Sequence, residues 1–66
     1  MKVDLNGASR TLAEDATVAD AVASLTTAVT GVAVAVNGEV VPRGVWSATA
    51  LRDGDRLEVL TAAQGG

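Results

Sequence analysis

The sequence predicts an α+β domain in which a mixed five-stranded sheet packs on one helix. Three observations carry this. Asn6-Gly7 and Asn37-Gly38 each lie between short apolar-containing runs, and Asn-Gly is the strongest short hairpin signal because both central turn positions need a positive φ. Between these pairs, Val18, Ala21, Val22 and Leu25 fall at i, i+3, i+4 and i+7, the spacing of one helix face. Near the end, Arg56-Leu57-Glu58-Val59-Leu60 alternates polar and apolar residues, the period of a half-buried strand.

Each element follows in turn. Lys2-Val3-Asp4-Leu5 alternates like a strand, and Ala8 to Leu12 returns from the first turn. Ala13 to Ala16 connect. Thr17 is a good N-cap, with Asp20 three residues on as a capping-box variant that also suits the helix dipole. The β-branched Thr26, Thr27, Val29 and Thr30, then Gly31, stop the helix near Leu25 to Ala28. Val32-Ala33-Val34-Ala35-Val36 is the clearest strand, with valines on one face and alanines on the other. Glu39-Val40-Val41 pairs with it across the second turn and stops at Pro42. Arg43 to Arg52 reads as irregular, anchored by Leu51, and Asp53-Gly54-Asp55 is a further turn. In this β-β-α-β-β-β order, strands 1 and 5 lie parallel at the centre with a hairpin on each side, the β-grasp arrangement. The expected core is Val3, Leu5, Leu12, Val18, Leu25, Val34, Val36, Val41, Leu51, Leu57 and Val59.

Composition excludes several function classes. The chain has 66 residues, enough for one domain, and a chain of this size buries only about 60% of its unfolded surface, leaving little room for an internal cleft. There is no cysteine and no histidine, so disulfides, thiolate metal sites and the usual general base are absent. No metal site is expected. Net charge is −3, and Trp46 is the only aromatic residue, which argues against nucleic acid binding. No apolar run has the length of a membrane span, and no signal segment opens the chain, so the expected compartment is the cytoplasm.

The domain is expected to occupy residues 1–60, followed by a flexible tail over 61–66 that ends in Gly65-Gly66. Glycine loses the most backbone freedom on ordering, so a glycine pair ends a folded element poorly. It suits a tail that threads into a narrow active site, where the α-carboxylate of Gly66 is open to attack from any side. A frayed terminus is the plainer alternative.

A β-grasp domain ending in Gly-Gly resembles the ubiquitin-like superfamily. The residues from Val36 through Asn37-Gly38-Glu39-Val40-Val41-Pro42-Arg43, then Trp46, then Leu51 to Val59, and the terminal Gly65-Gly66 are similar in order and spacing to the ThiS family, the small sulfur carriers of thiamine biosynthesis. The first half matches in pattern only. Gln64 departs from the small or apolar residue that many members carry. The small subunit of molybdopterin synthase shares fold and tail, but is usually longer and has bulky aromatic segments that this chain lacks.

The resemblance implies a carrier, not an enzyme. An E1-like adenylating enzyme would use ATP and Mg to convert the Gly66 carboxylate to an acyl-adenylate. A persulfide donor would then yield a C-terminal thiocarboxylate, which a thiazole synthase would consume. No cofactor would be bound by the carrier itself. Because the chain lacks cysteine, it cannot hold sulfur as its own persulfide, which agrees with Gly66 as the attachment point. Gly65 would keep the tail slim enough for access.

The sheet face away from the helix is the expected docking face for partners, with Ala33, Ala35 and Leu60 on it by alternation. Exposed apolar residues are also ordinary on any surface. Trp46 reads as a cap on the core edge, with a second partner contact as the alternative. Arg43 matches the family pattern, or is a solvated loop residue. Asp53 and Asp55 belong to a turn, since too few oxygen ligands accompany them for calcium. Two other functions compete: a modifier that joins Gly66 to lysines of other proteins or a carrier for another pathway (molybdopterin, cysteine), and a β-grasp binding module whose Gly-Gly is incidental.

Overall fold

The computed structural model describes residues 1–27 and 30–61. Strand β1 spans Lys2–Leu5, β2 Ala8–Thr11, helix α1 Val18–Leu25, β3 Val32–Val36, β4 Glu39–Val40 and β5 Arg56–Thr61. A 3₁₀ helix, Arg43–Ala48, occupies the stretch expected to be irregular. The sheet order is β2-β1-β5-β3-β4, with β1 parallel to β5 and every other pair antiparallel. This is the predicted mixed five-stranded sheet on one helix.

Both hairpin turns have the geometry the sequence demanded. Asn6 and Gly7 have φ of 53° and 84°, and Asn37 and Gly38 have 51° and 85°. Each asparagine does a second task. The first turn swings the chain away after Leu5, so β1 ends while β5 continues. The Asn6 carboxamide takes the place of the missing strand residue. Val59 N donates to Asn6 Oδ1 at 2.8 Å, and Asn6 Nδ2 donates to Val59 O at 3.0 Å. At the other end of β5, Arg56 N donates to Asn37 Oδ1 at 3.0 Å. Backbone groups that a turn would leave unpaired are thus satisfied by turn side chains.

The helix starts as its sequence predicts. Thr17 caps it, and the reciprocal Thr17–Asp20 capping box is complete. The helix buries its first two turns, through Val18, Ala21 and Val22, against the sheet. Leu25, expected in the core, is 37% exposed, because it closes the helix beyond those buried turns. Leu12, Val36 and Val41 pack on the core but remain half-buried. Leu12 lies just past β2, whose four residues are all exposed.

The core itself is Val3, Leu5, Ala16, Val18, Ala21, Val22, Val34, Trp46, Leu51, Leu57 and Val59. Trp46 is buried, and its Nε1 donates to Val41 O at 2.8 Å, so it closes the core edge with its polar handle satisfied. Among the described residues no polar or charged residue is buried.

Candidate functional site

Gly65 and Gly66, the expected points of access and attachment, lie outside the described residues. The structure does describe the base from which they extend. Strand β5 runs to Thr61, one residue past the expected domain boundary, and Thr61 pairs with Val32. Gly31, Val32, Ala33, Arg43, Leu60 and Thr61 line an open groove at this end of the sheet, where β3 begins and β5 finishes.

The period of two on β5 sorts its side chains cleanly. Leu57 and Val59 are buried, while Arg56, Glu58 and Leu60 are exposed on the opposite face. Register then places Ala33 directly beside Leu60, and Ala35 beside Glu58. Of the three expected docking residues, Ala33 and Leu60 therefore share the groove, and Leu60 is 70% exposed. Ala35 lies one pair further along the same face, half-buried, with a carboxylate as its β5 neighbour and Val40 on its other side. Val40 is 77% exposed. Sequence reasoning missed it, although alternation puts it opposite Val41 and so on this face. Leu60, Ala33, Ala35 and Val40 form a diagonal apolar band that is low in the middle, where the alanines stand, and raised at both ends.

Arg43 enters this site from the 3₁₀ helix. Its guanidinium lies 5.2 Å from the centroid of the Trp46 ring, within the range of a cation–π contact. It is the one charged side chain among the described residues lining the groove.

Asp53 and Asp55 are spent on the turn. Asp53 Oδ1 accepts from Lys2 N at 2.7 Å, and Asp55 accepts from Arg52 N at 2.8 Å and Asn37 Nδ2 at 3.0 Å. Gly54 has φ of 90° between them. Among the described residues no group of three potential ligands could hold a metal ion, and no helix is long and apolar enough to cross a membrane.

The sequence model of the ThiS family matches residues 3–66. Among solved structures, a crystal structure of a thiamine biosynthesis protein (ThiS) from Geobacter metallireducens is 36% identical, with all of both chains covered and a TM-score of 0.79. A solution structure of a thiamine biosynthesis protein from the same organism is 35% identical over all of this chain and 88% of that one, with a TM-score of 0.81. No curated protein matches the chain.

Proposed function

The chain belongs to the ThiS family, and from that membership we propose that it is a sulfur carrier of thiamine biosynthesis, loaded at the carboxyl group of Gly66. One observation carries the reading: the family match runs to residue 66 and so includes the terminal Gly65-Gly66. The solved relatives named for thiamine biosynthesis support it.

The chemistry needs a partner because a carboxylate is a poor electrophile. A Gly66 carboxylate oxygen attacks the α-phosphorus of ATP, pyrophosphate leaves, and an acyl-adenylate forms. Mg on the phosphates stabilises the charge that develops there. A persulfide sulfur then attacks the acyl carbon, and AMP leaves with the oxygen that joined it. A thiol reduces the resulting acyl disulfide and frees the thiocarboxylate. In this scheme the chain supplies no catalytic group. It is substrate and carrier, and the adenylating enzyme, the persulfide donor and a thiazole synthase act on it in the cytoplasm.

The test is a mass spectrum of the protein after incubation with ATP, Mg, the cognate adenylating enzyme and a persulfide donor. A shift equal to exchange of one oxygen for sulfur, in the C-terminal peptide, is expected. Isopeptide adducts on lysines of other proteins would favour the modifier reading instead.

We propose further that the adenylating enzyme docks on the apolar band around Leu60. Leu60→Glu should fold normally, because the side chain faces away from the core. It should weaken binding at least about tenfold, since a charge would be buried against an apolar contact. Equal affinity of variant and wild type in a calorimetric titration would remove this face from the docking surface.

A further inference from the structure

The groove at the end of the sheet has one feature that an apolar docking face does not require. Arg43 lines it as a cation that, among the described residues, forms no ion pair with a carboxylate. Among the described residues the one ion pair joins the Met1 ammonium to Glu14. Yet the chain has eight acidic residues against five basic ones. A solvated arginine in such a chain would be free to wander. This one lies over the Trp46 ring at 5.2 Å, and Trp46 is itself held by burial and by its bond to Val41 O. The side chain is thus positioned before any partner arrives, which lowers the ordering cost of binding. A guanidinium presents a planar fork of donors that matches a carboxylate. Beside it in the same groove stand Leu60 and the small floor of Gly31 and Ala33, which accept an apolar side chain. Thr61 also lines the groove, so whatever binds here sits where the chain leaves the sheet toward Gly66.

We propose that Arg43 and Leu60 form a two-point socket for a segment of the adenylating enzyme in which a carboxylate side chain lies next to an apolar one. This rests on the carrier reading above and adds the chemistry of the partner's contact. Leu60 supplies buried apolar area, and Arg43 sets register and rejects segments that lack the acid.

The experiment is a titration of the adenylating enzyme with wild type, Arg43→Lys, Arg43→Ala and Arg43→Glu at low and high salt. Pyrophosphate release is followed in parallel. Arg43→Ala should raise Kd at least about tenfold at low salt and flatten its salt dependence, because the screened charge pair is gone. Arg43→Glu should be worse, and Arg43→Lys intermediate, since a point charge replaces the fork. KM for the carrier should rise while kcat stays near the wild-type value, because docking precedes the chemistry. If Arg43 served only to cover Trp46, its loss would shift the tryptophan emission and the melting temperature but leave the salt slope unchanged, and the proposal would fall. It would also fall if Arg43→Ala bound like wild type. The chain's own terminal carboxylate is the rival occupant. In a synthetic chain amidated at Gly66, the effect of Arg43→Ala on enzyme binding should persist, and its disappearance would give the arginine to that carboxylate. Wild type that releases no pyrophosphate would sink the carrier reading and this proposal together, whereas normal release by both wild type and Arg43→Glu at limiting carrier would sink this proposal alone.

Discussion

Leu57→Ala is expected to destabilise the domain by about 2–5 kcal/mol, the range for large-to-small changes in a core. Leu57 has no exposed surface. It stands on the central strand, with Leu5 as its parallel partner on β1 and Val36 as its antiparallel partner on β3. Truncation therefore opens a cavity on the buried face of three strands that hydrogen bonds hold at fixed spacing, which limits how far the walls can collapse into it. Stability of roughly 0.05–0.15 kcal/mol per residue leaves a domain of this size little reserve. Since 1 kcal/mol moves the midpoint of so small a domain by about 4–8 °C, the melting temperature should fall by at least about 8 °C, or the cooperative transition should vanish. Leu25→Ala is the control. With Leu25 partly exposed at the end of α1, its truncation should cost less than half as much. An unchanged denaturant midpoint for Leu57→Ala would mean that β5 is not the centre of the sheet.

The sequence made the sheet legible because its signals there were local and stereochemical. Asn-Gly pairs need positive φ, and both turns have it. Alternation along β5 separated Leu57 and Val59 from Leu60, and that separation holds residue by residue. The core was harder wherever burial depended on distant packing. Ala16 is buried outside any periodic run, and Ala21 and Val22, both on the expected helix face, are buried although the expected core did not include them. Leu25 fits the helix stripe and is still partly exposed, because periodicity gives a direction and not the extent of the surface below. The 3₁₀ helix has too few residues to show a period, and it went unseen.

The candidate site divides the same way. Leu60 and Ala33 were found by alternation, and the register makes them direct neighbours. Val40 was equally available to that rule. Arg43 was not, because its place depends on a 3₁₀ helix docking Trp46 into the core. Nor could the sequence show Asn6 standing in for a strand residue beside Val59, a contact across 53 positions of chain.

Deletion of Gly66 and Gly65→Val should each abolish pyrophosphate release with ATP, Mg and the cognate adenylating enzyme, the largest functional effect expected of any change in this chain. The two fail for different reasons. Deletion withdraws the carboxylate by one residue. A chain rises at most about 3.3–3.6 Å per residue, and reacting atoms must come within about 3–3.5 Å, so a shift of one residue places the acyl group out of reach of the α-phosphorus. Gly65→Val leaves the carboxylate in register but adds a branched side chain to the backbone next to it. A channel shaped for glycine excludes that branch, and the β-branch also restricts the backbone angles available for entry. Neither change touches the core, whose last member among the described residues is Val59, so both variants should melt like wild type. They should also retain most of their affinity for the adenylating enzyme through Leu60, and so inhibit wild type in competition. That combination of intact fold, retained docking and lost activation separates a tail defect from a folding defect. Normal pyrophosphate release by the deletion variant, or sulfur found on an internal residue, would overturn the carrier reading and leave the glycine pair incidental to a β-grasp binding module.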